Sequence, residues 1–595
     1  MKKLVYILVV ALTLGFVACN NNNPDSSSSS TETDTSANTG DDEDDFVELQ
    51  TWNSTVSVVW DGTTVTVSNL VDGVEVTSNS DGYLVLTSTA KHIIYAVSGS
   101  GTGQLKIYSD YKFQLQLNGL TLACSNGPAI NNQCGKSCYL VLSGTNTLSD
   151  GSSYASSDED QKAALFSEGQ LLVSGNGTLT VTGNYKHAVA SDDYVRLREG
   201  TLTLLATVSD GLHANDGIII NGGSLSINAA GDAIQCDTSS IVITDGVIDV
   251  TAAGDKGLLA YSNIEISGGT VTVKSVDKGI KSAAGNIVIS DGIISVTTTG
   301  DDGKGILAKL GEVQISGGTI SVTTSGSDAK GIKAVGNLTI SDGDICVVCS
   351  GGSSAMHAPG GGPGGNSGGG PGGNSGGGPG GNNGGGPGGN ENSGNSSAPE
   401  GIESKAILTI SGGKVFAQSS DDAINSGSDM VISGGYVCAY STGNDGLDAN
   451  GNCYIKGGTV YAIGASSPEV GIDANTEEGY KLYVQGGNFV AIGGIESGSS
   501  LSQSCYQAST WSSNTWYALY DGSSLVMAFK TPSSGGSGMI ISTSSTPSLT
   551  SDVTLAEGTP IFNGMALLSP SVSNGSPVTL SAYSGGNAGG GFGGR

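Results

Sequence analysis

A recurring glycine is the feature that most constrains the fold of this chain. Turn glycines stand exactly 23 residues apart at Gly177, Gly200, Gly223, Gly246, Gly269 and Gly292, and the series continues with similar spacing from Gly318 to Gly487. Residues alternate with period 2 on both sides of each turn, as in 264–273 (IEISGGTVTV), and this pattern predicts short strands. One 23-residue unit cannot bury a core alone. The sequence therefore predicts an all-β chain wound into a parallel β-helix, with about 23 residues per coil.

The repeat also divides the chain into segments. We predict an N-terminal cap and first coils over residues 51–168, a regular β-helix over 169–495 and an irregular C-terminal β cap over 496–595. Residues 350–400 interrupt the helix with repeated octads that begin GGGPGGN, which have nothing to bury and predict a disordered insertion. Because Gly401 precedes Gly413 by the same twelve residues that separate Gly331 from Gly343, Cys349 should lead into Gly401 without changing the coil.

The N-terminus predicts export. Residues 1–18 read as a signal peptide, and Val17-Ala18-Cys19 resembles the lipobox of bacterial lipoproteins, in which the cysteine is acylated. The alternative is an ordinary signal peptide with an incidental cysteine. Residues 19–50 have almost no apolar content and predict a disordered tether. We expect an exported bacterial lipoprotein at the outer membrane or cell surface, which touches the membrane through its lipid anchor only.

Charge and composition exclude several partners. The 24 basic and 54 acidic residues give a formal net charge of −30, which disfavours nucleic acid and favours cations. Four histidines without a Cys/His cluster predict no transition-metal site. Cys124, Cys134 and Cys138 are close enough in sequence for one local disulfide, whereas Cys346 and Cys349 should face opposite sides of a strand. We expect a monomer.

A second phrase, Asp-(Lys)-Gly-Ile, marks another corner of each coil. Aligned on this phrase, the acids form a column: Asp210, Asp232, Asp255, Asp277, Asp302, Asp328, Asp422 and Asp445. Like charges about 5 Å apart need a counter-charge. In the middle coils it is supplied by the neighbouring lysines Lys256, Lys278, Lys304 and Lys330. At the ends, carboxylates and amides without lysines predict calcium sites, unless Asp and Asn are there only because turns favour them.

The position after the corner Ile or Leu predicts a second, outward column: His213, Gln235, Leu259, Lys281, Leu307, Lys333, Glu403, Asn425, Asp448 and Asp473. In the middle coils, a basic ridge of Lys278, Lys281, Lys304, Lys330 and Lys333 is a candidate for binding uronate carboxylates. The equal alternative is a solvated Lys–Asp ladder. Past the insertion, Phe416, Tyr436, Tyr440 and Tyr461 are candidate sugar-stacking residues, although aromatics are common in strands.

Catalysis has weak support in the sequence. A polysaccharide lyase would need an Arg or Lys base beside calcium-holding acids. Arg196, Arg198, Lys281 and Lys333 are the candidates, but none stands out from the repeat. We therefore expect a protein that is not an enzyme.

The phrases Asp-Gly-Ile/Leu-x-Ala/Ser and Ile-x-Ile-x-Gly-Gly-Thr-x-x-Val, with the segments 117–121, 142–151 and 158–160 near the start, resemble a known family. It is the calcium-containing, right-handed parallel β-helix family, typified by a clostridial protein that binds cellulose and pectin, whose members are called carbohydrate-binding domain-containing proteins. The resemblance implies non-catalytic binding of plant-wall-type polysaccharide with calcium. We therefore expect a cell-surface protein that binds an acidic or cellulose-like polysaccharide. It implies these calcium ligands: Asp210, Asp232, Asp422, Asp445, Asp448 and Asp473. A structural or adhesive surface protein and a pectate-lyase-like enzyme are the rival interpretations.

Overall fold

The computed structural model describes residues 43–78, 81–353 and 398–585. The signal peptide, Cys19, most of the tether and residues 354–397 of the insertion lie outside the described residues. The predictions made for them therefore stay predictions.

The predicted all-β parallel β-helix is confirmed, with about 14 turns of about 24 residues. Most turns contribute two segments to a large sheet and one to a smaller sheet. The 28-stranded sheet contains Ser54–Gly62, Thr64–Ser68, Ile93–Thr102, Phe113–Ala123, Cys138–Ser143, Thr145–Ser149, Leu171–Ser174, Thr178–Gly183, Tyr194–Leu197, Thr201–Ala206, Gly217–Ala229, Ile241–Ala253, Ile264–Ser275, Ile287–Thr298, Val313–Thr324, Leu338–Cys349, Leu408–Ile410, Lys414–Ser419, Met430–Ile432, Tyr436–Ser441, Cys453–Ile455, Thr459–Ile463, Leu482–Val484, Asn488–Ile492, Ser500–Leu501, Cys505–Ala508, Met539–Ser542 and Ser581–Tyr583.

The smaller sheet carries the corner phrase of each coil at the start of its strands. Its 15 strands are Val74–Ser78, Tyr83–Ser88, Gln104–Ser109, Ile130–Asn132, Ala163–Ser167, His187–Ser191, Leu212–Ala214, Ile234–Cys236, Leu258–Ala260, Lys278–Ser282, Lys304–Ala308, Lys330–Ala334, Ile402–Ser404, Ile424–Ser426 and Leu447–Ala449.

The strand register follows the spacing of the glycines. Ile264 pairs with Ile287, 23 residues later, and Ile287 pairs with Val313, 26 residues later. Across the insertion, Ile332 pairs with Ile402. The coils on either side of the insertion therefore stack directly on each other.

The glycine of the corner phrase has a packing reason. A Cβ added at Gly279 would lie 2.1 Å from Val296 Cγ1, and one at Gly305 would lie 2.2 Å from Val322 Cγ1. Real Cβ atoms do not approach carbon that closely. The turn glycine Gly269 has a different reason, because its φ of +77° is unfavourable for other residues.

Antiparallel strands follow the last coils. A six-stranded sheet contains Trp516–Asp521, Ser524–Lys530, Pro547–Ser551, Thr559–Ile561, Ala566–Leu568 and Ser576–Pro577, and a two-stranded sheet contains Thr554–Ala556 and Ser571–Ser573. We call residues 505–583 the C-terminal module. Its residues Tyr517, Leu519 and Phe529 form a second hydrophobic cluster with outward-facing side chains of the coils, separate from the core inside the helix.

The end of the predicted tether is ordered, which corrects the boundary at residue 50. Glu43–Asp45 and Val47–Leu49 are 3-10 turns, as is Thr476–Glu478 later in the chain. Asp45 is only 3% exposed and forms an ion pair with the buried Arg196. Composition did not reveal this segment, because the partners of Asp45 and Glu48 are Arg196 and Arg198, 151 and 150 positions later in the chain.

The cysteines form no disulfide among the described residues. The nine described cysteines, including Cys124, Cys134 and Cys138, are free thiols. Cys349 is buried in the core inside the helix, whereas Cys346 packs against the second cluster, as the strand alternation predicts. No described helix has the length and apolarity needed to span a membrane.

Candidate cation and carbohydrate sites

Backbone pairing defines one continuous corner column in the smaller sheet. Each member is the residue two positions before the buried Ile, Leu or Val of its coil. Backbone hydrogen bonds or strand pairing connect each member to the adjacent coil. The members are His187, Asp210, Asp232, Lys256, Lys278, Lys304, Lys330, Glu400, Asp422 and Asp445.

This register corrects the predicted acid column in the middle coils, by one residue at Asp255 and Asp277 and by two residues at Asp302 and Asp328. There the lysines themselves occupy the column, while Asp255, Asp277 and Asp302 lie beside it and pair with them. The predicted neutralisation between Asp and Lys is confirmed for these three acids. The outward column is also confirmed: Lys333 pairs with Glu403, and Asn425 pairs with Asp448.

The acidic cluster at the C-terminal end of the column contains Asp422, Asp445, Asp448 and Asp473. Asn425 Nδ2 donates to Asp422 Oδ2 at 3.2 Å and to Asp448 Oδ2 at 2.6 Å. The Asp445 N–H donates to Asp422 Oδ1 at 3.1 Å. Asp422 and Asp445 are buried, and Asp448 and Asp473 are half-buried, so the cluster reaches the surface.

This cluster concentrates negative charge without a cationic partner. Burial, and then the carboxylates of Asp448, Asp421 and Asp445, hold the pKa of Asp422 well above its ordinary value. Burial raises the pKa of Asp445 to about 7 and that of Asp448 to about 6. No ion pair to Asp422, Asp445, Asp448 or Asp473 exists within the described ranges, and these crowded oxygen donors match the preference of calcium.

Two further acids extend this cluster. Glu400, Asp421 and Asp422 offer carboxylate oxygens that all lie within 4.8 Å of one another. Burial raises the pKa of Glu400 to about 8. Glu400 was not among the predicted ligands, because it lies at the end of the predicted insertion, 350–400. Glu400 lies two residues before Ile402, as Asp422 lies two residues before Ile424. This equal spacing could have identified Glu400 as a member of the column.

Most of the predicted basic ridge is not open to a ligand. Lys304, Lys330 and Lys333 are buried. Lys330 Nζ lies 2.5 Å from Glu400 Oε2, and Lys333 Nζ lies 3.2 Å from Glu403 Oε2. The expected ridge is wrong for these three lysines: Asp302 pairs with the buried Lys304, and acids of the coil after the insertion cover Lys330 and Lys333.

Two ridge lysines remain half-buried. Lys278 Nζ lies 2.5 Å from Asp277 Oδ1. Lys281 has no ion pair within the described part of the chain, and burial, followed by Lys256, Lys309 and Lys278, lowers its pKa. Of the predicted ridge, Lys278 and Lys281 are therefore the residues still placed to meet an anionic ligand.

The predicted sugar-stacking aromatics point away from the coil interior, but the C-terminal module covers them. Phe416 and Tyr461 are buried in the second cluster, and Tyr436 and Tyr440 pack against it. The Tyr461 hydroxyl donates to the Lys530 carbonyl at 3.0 Å. The expectation that these rings are exposed is wrong, because strand alternation shows which side chains point out of the coil but does not show what packs on them.

A different aromatic pair is half-exposed on the large sheet. Tyr454 and Tyr483 occupy the same position in adjacent coils. Their ring centroids are 5.0 Å apart and nearly parallel, and Lys456 Nζ lies 4.8 Å from the Tyr454 centroid. The sequence signal was the alternation in 453–455 (CYI) and 482–484 (LYV), which turns both rings outward.

The N-terminal end of the column differs from the C-terminal end. Asp210 Oδ2 lies 3.0 Å from His187 Nδ1 and 3.1 Å from His213 Nδ1. Asp232 Oδ1 accepts the Lys256 N–H at 2.8 Å and lies 3.5 Å from Lys256 Nζ. Asp210 therefore contacts two imidazoles and Asp232 contacts Lys256, and these nitrogen partners differ from the oxygen donors that calcium prefers.

The candidate arginine bases are already engaged. Arg196 is fully buried, with Nη1 2.6 Å from Asp45 Oδ2. Arg198 forms two hydrogen bonds with the Glu48 carboxylate, at 2.7 and 2.9 Å. In this structure neither arginine can reach a sugar C–H without first leaving its carboxylate partner.

A comparison with protein families identifies the chain. The profile described as "Carbohydrate-binding domain-containing protein" matches residues 80–278 and 242–446, which together span more than half of the sequence. The chain belongs to this family. The matched range includes the last three acids of the corner column, Glu400, Asp422 and Asp445.

Two other comparisons add little. No curated protein matches the sequence. Among solved structures, the chain is similar to a polysaccharide lyase-like protein from C. thermocellum, solved as a gadolinium derivative. The identity is 20%, the TM-score is 0.30, and the match covers 46% of this chain and 95% of that one. A similarity of this size carries no argument about function.

Proposed function

We propose that this carbohydrate-binding domain protein is a non-catalytic, surface-exposed polysaccharide-binding protein whose C-terminal acidic cluster holds calcium. The observation that carries the proposal is the group of Asp422, Asp445, Asp448 and Asp473, buried or half-buried together without an ion-pair partner among the described residues. Such a group is stable only if protons or a cation neutralise it. Calcium bound there would also attract the carboxylates of an acidic glycan.

The sugar contact that we propose is the half-exposed pair of Tyr454 and Tyr483. Tyrosine rings offer apolar faces and edges to sugar C–H groups while their hydroxyls remain hydrated. Lys456 adds a positive charge beside Tyr454 and suits an acidic glycan. Attachment through an acylated Cys19 would place this surface outside the cell.

The lyase is the less favoured interpretation, because three of the four candidate bases are held by acids: Arg196 by Asp45, Arg198 by Glu48 and Lys333 by Glu403. Lys281 is the remaining candidate base. The adhesin interpretation differs from ours in its ligand, which would be another cell or matrix protein. One experiment separates the three.

The experiment is a pull-down of the full-length chain on insoluble polygalacturonate and on cellulose, with calcium or with EGTA. The absorbance of unsaturated uronate is followed in the same samples. We expect calcium-dependent retention with flat absorbance. Rising absorbance would support the lyase, and absence of retention on every polymer would support the adhesin.

Matched variants assign the effect to residues. Asp445→Asn with Asp448→Asn should abolish the calcium dependence, whereas Asp291→Asn, at an exposed turn, should not. Tyr454→Ala with Tyr483→Ala should reduce retention at saturating calcium, whereas Tyr261→Ala removes an equally simple exposed ring and should have no effect. Equal retention of all variants would contradict the assignment.

A further inference from the structure

The N-terminal end of the corner column contains a buried cluster of two imidazoles and one carboxylate. His187 stands exactly 23 residues before Asp210 and occupies the same column position one coil earlier. His213 begins the outward column on the strand that follows Asp210. All three side chains are buried, and each offers a ligand atom within 4.8 Å of the others.

The distances suit an ion with short bonds. The two Nδ1 atoms lie 3.0 and 3.1 Å from the same oxygen, Asp210 Oδ2. Ligand atoms about 2.0–2.1 Å from zinc at tetrahedral angles are roughly 3.3 Å apart. The cluster therefore needs only a small expansion to surround such an ion. Imidazole nitrogen is a preferred ligand of zinc-like metals, whereas calcium prefers oxygen.

The surroundings orient His213 and Asp210 in the way that metal sites require. His213 Nε2 lies 3.2 Å from Asp237 Oδ2, and Asp237 accepts from Gln235 Nε2 at 2.7 Å. An imidazole that binds metal through one nitrogen commonly donates its other N–H to a carboxylate. The second oxygen of Asp210 accepts the Asp232 N–H at 3.0 Å. The two rings stack with centroids 4.3 Å apart.

We propose that His187, Asp210 and His213 form a binding site for a divalent transition metal of the zinc class. The site is chemically distinct from the C-terminal acidic cluster, and it does not depend on the proposed function. The ion ties two successive coils together, because His187 lies on one coil and Asp210 and His213 lie on the next. Without a metal, the same three groups would share protons in a hydrogen-bonded network.

The test uses the untagged full-length chain, freed of metal by chelation and dialysis. Zn²⁺ is titrated by calorimetry, and Co²⁺ is added separately to record its visible spectrum. We expect one equivalent of Zn²⁺ to bind with affinity well above that of surface sites, and the Co²⁺ spectrum to show intense tetrahedral d–d bands. No Zn²⁺ binding, or a weak octahedral Co²⁺ spectrum, would overturn the proposal.

Variants connect the binding to the residues. His187→Gln and His213→Gln should each abolish the tight binding, and Asp237→Asn should weaken it by about 10- to 100-fold. His92→Asn removes an exposed histidine, and Asp445→Asn alters the C-terminal acidic cluster, so both should bind Zn²⁺ like the wild type. Circular dichroism verifies that each variant is folded. Zn²⁺ binding that survives both histidine substitutions would overturn the proposal, even where calcium and glycan binding are intact.

Discussion

Arg196 is fully buried, and its Nη1 lies 2.6 Å from Oδ2 of Asp45, a residue 151 positions earlier in the chain. The Tyr194 hydroxyl also donates to Asp45. This contact fixes residues 43–49 against the first regular coils. It also removes the arginine from any role at the surface.

The first prediction follows from this contact. Asp45→Ala leaves a buried guanidinium without its counter-charge and should lower the free energy of unfolding by about 3–5 kcal/mol. Asp44→Ala is the control, because the Asp44 carboxylate is exposed in its pair with Lys112 and should cost less than about 1 kcal/mol. Chemical denaturation measures both. Equal effects would mean that the buried pair does not hold the segment.

The second prediction concerns the aromatic residues under the C-terminal module. Phe416→Ala removes a buried ring from the second cluster and should lower the free energy of unfolding by about 3–5 kcal/mol, without changing the polysaccharide affinity of the folded protein. Tyr454→Ala, on the open face, should lower the polysaccharide affinity and leave the free energy of unfolding nearly unchanged. Thermal unfolding and pull-down on the same preparations measure the two effects. Loss of affinity in a stably folded Phe416→Ala variant would contradict the observed burial.

The third prediction concerns how calcium changes the melting temperature of an Asp473 variant. Burial and the hydrogen bond with Glu496 raise the pKa of Asp473 to about 10, so the calcium-free carboxyl is protonated at neutral pH. Asp473→Asn mimics this neutral form and should leave the melting temperature in EGTA unchanged or higher. In calcium, the same variant should show a smaller increase than the wild type, because a charged ligand is missing.

The control for Asp473→Asn is Asp291→Asn. Asp291 is an exposed turn acid that accepts the Gly292 N–H, an interaction that an amide oxygen can retain. Its melting temperatures should match those of the wild type with and without calcium. A wild-type protein that gains no thermal stability from calcium would refute calcium binding at the cluster.

The fourth prediction is a loss of stability in acid. Burial alone would raise the pKa of Glu403, but Lys330, Lys333 and Lys405 outweigh it and lower the pKa to about 2. A folded-state pKa below the unfolded value stabilises the protein fully above about pH 4.5, and this stabilisation is lost as the pH falls toward 2. About 3 kcal/mol of unfolding free energy should disappear across that window.

Glu403→Gln tests this directly. The difference in unfolding free energy between wild type and variant should be largest above pH 5 and should shrink steadily below pH 4.5. Glu199→Gln changes an exposed glutamate and should give a curve parallel to the wild type. A constant difference for Glu403→Gln across the acid range would rule out the proposed ionisation.

The sequence predicted which residues share a column better than it predicted what each column does. The outward series from His213 to Asp473 was correct, because strand register follows directly from a fixed repeat. The corner acids of the middle coils were displaced by one position at Asp255 and Asp277 and by two at Asp302 and Asp328, since Asp and Lys stand within two residues of each other and only backbone pairing distinguishes them. His187 and Glu400 were missed, although each lies two residues before the buried Val or Ile of its coil.

By itself, the repeat determined the β-helix, its stacking period and the ladders along it, because each coil interacts mainly with its nearest neighbours. Only the tertiary structure decided which ladder positions are covered. The C-terminal module buries Phe416 and Tyr461. The coil after the insertion places Glu400 and Glu403 beside Lys330. Asp45 pairs with Arg196, 151 positions later in the chain. The contacts of the module and of Asp45 join segments outside the repeat period, and the contact of Glu400 with Lys330 joins adjacent coils whose charges the repeat does not specify. Their desolvation and charge pairing depend on three-dimensional proximity, which a periodic pattern does not encode.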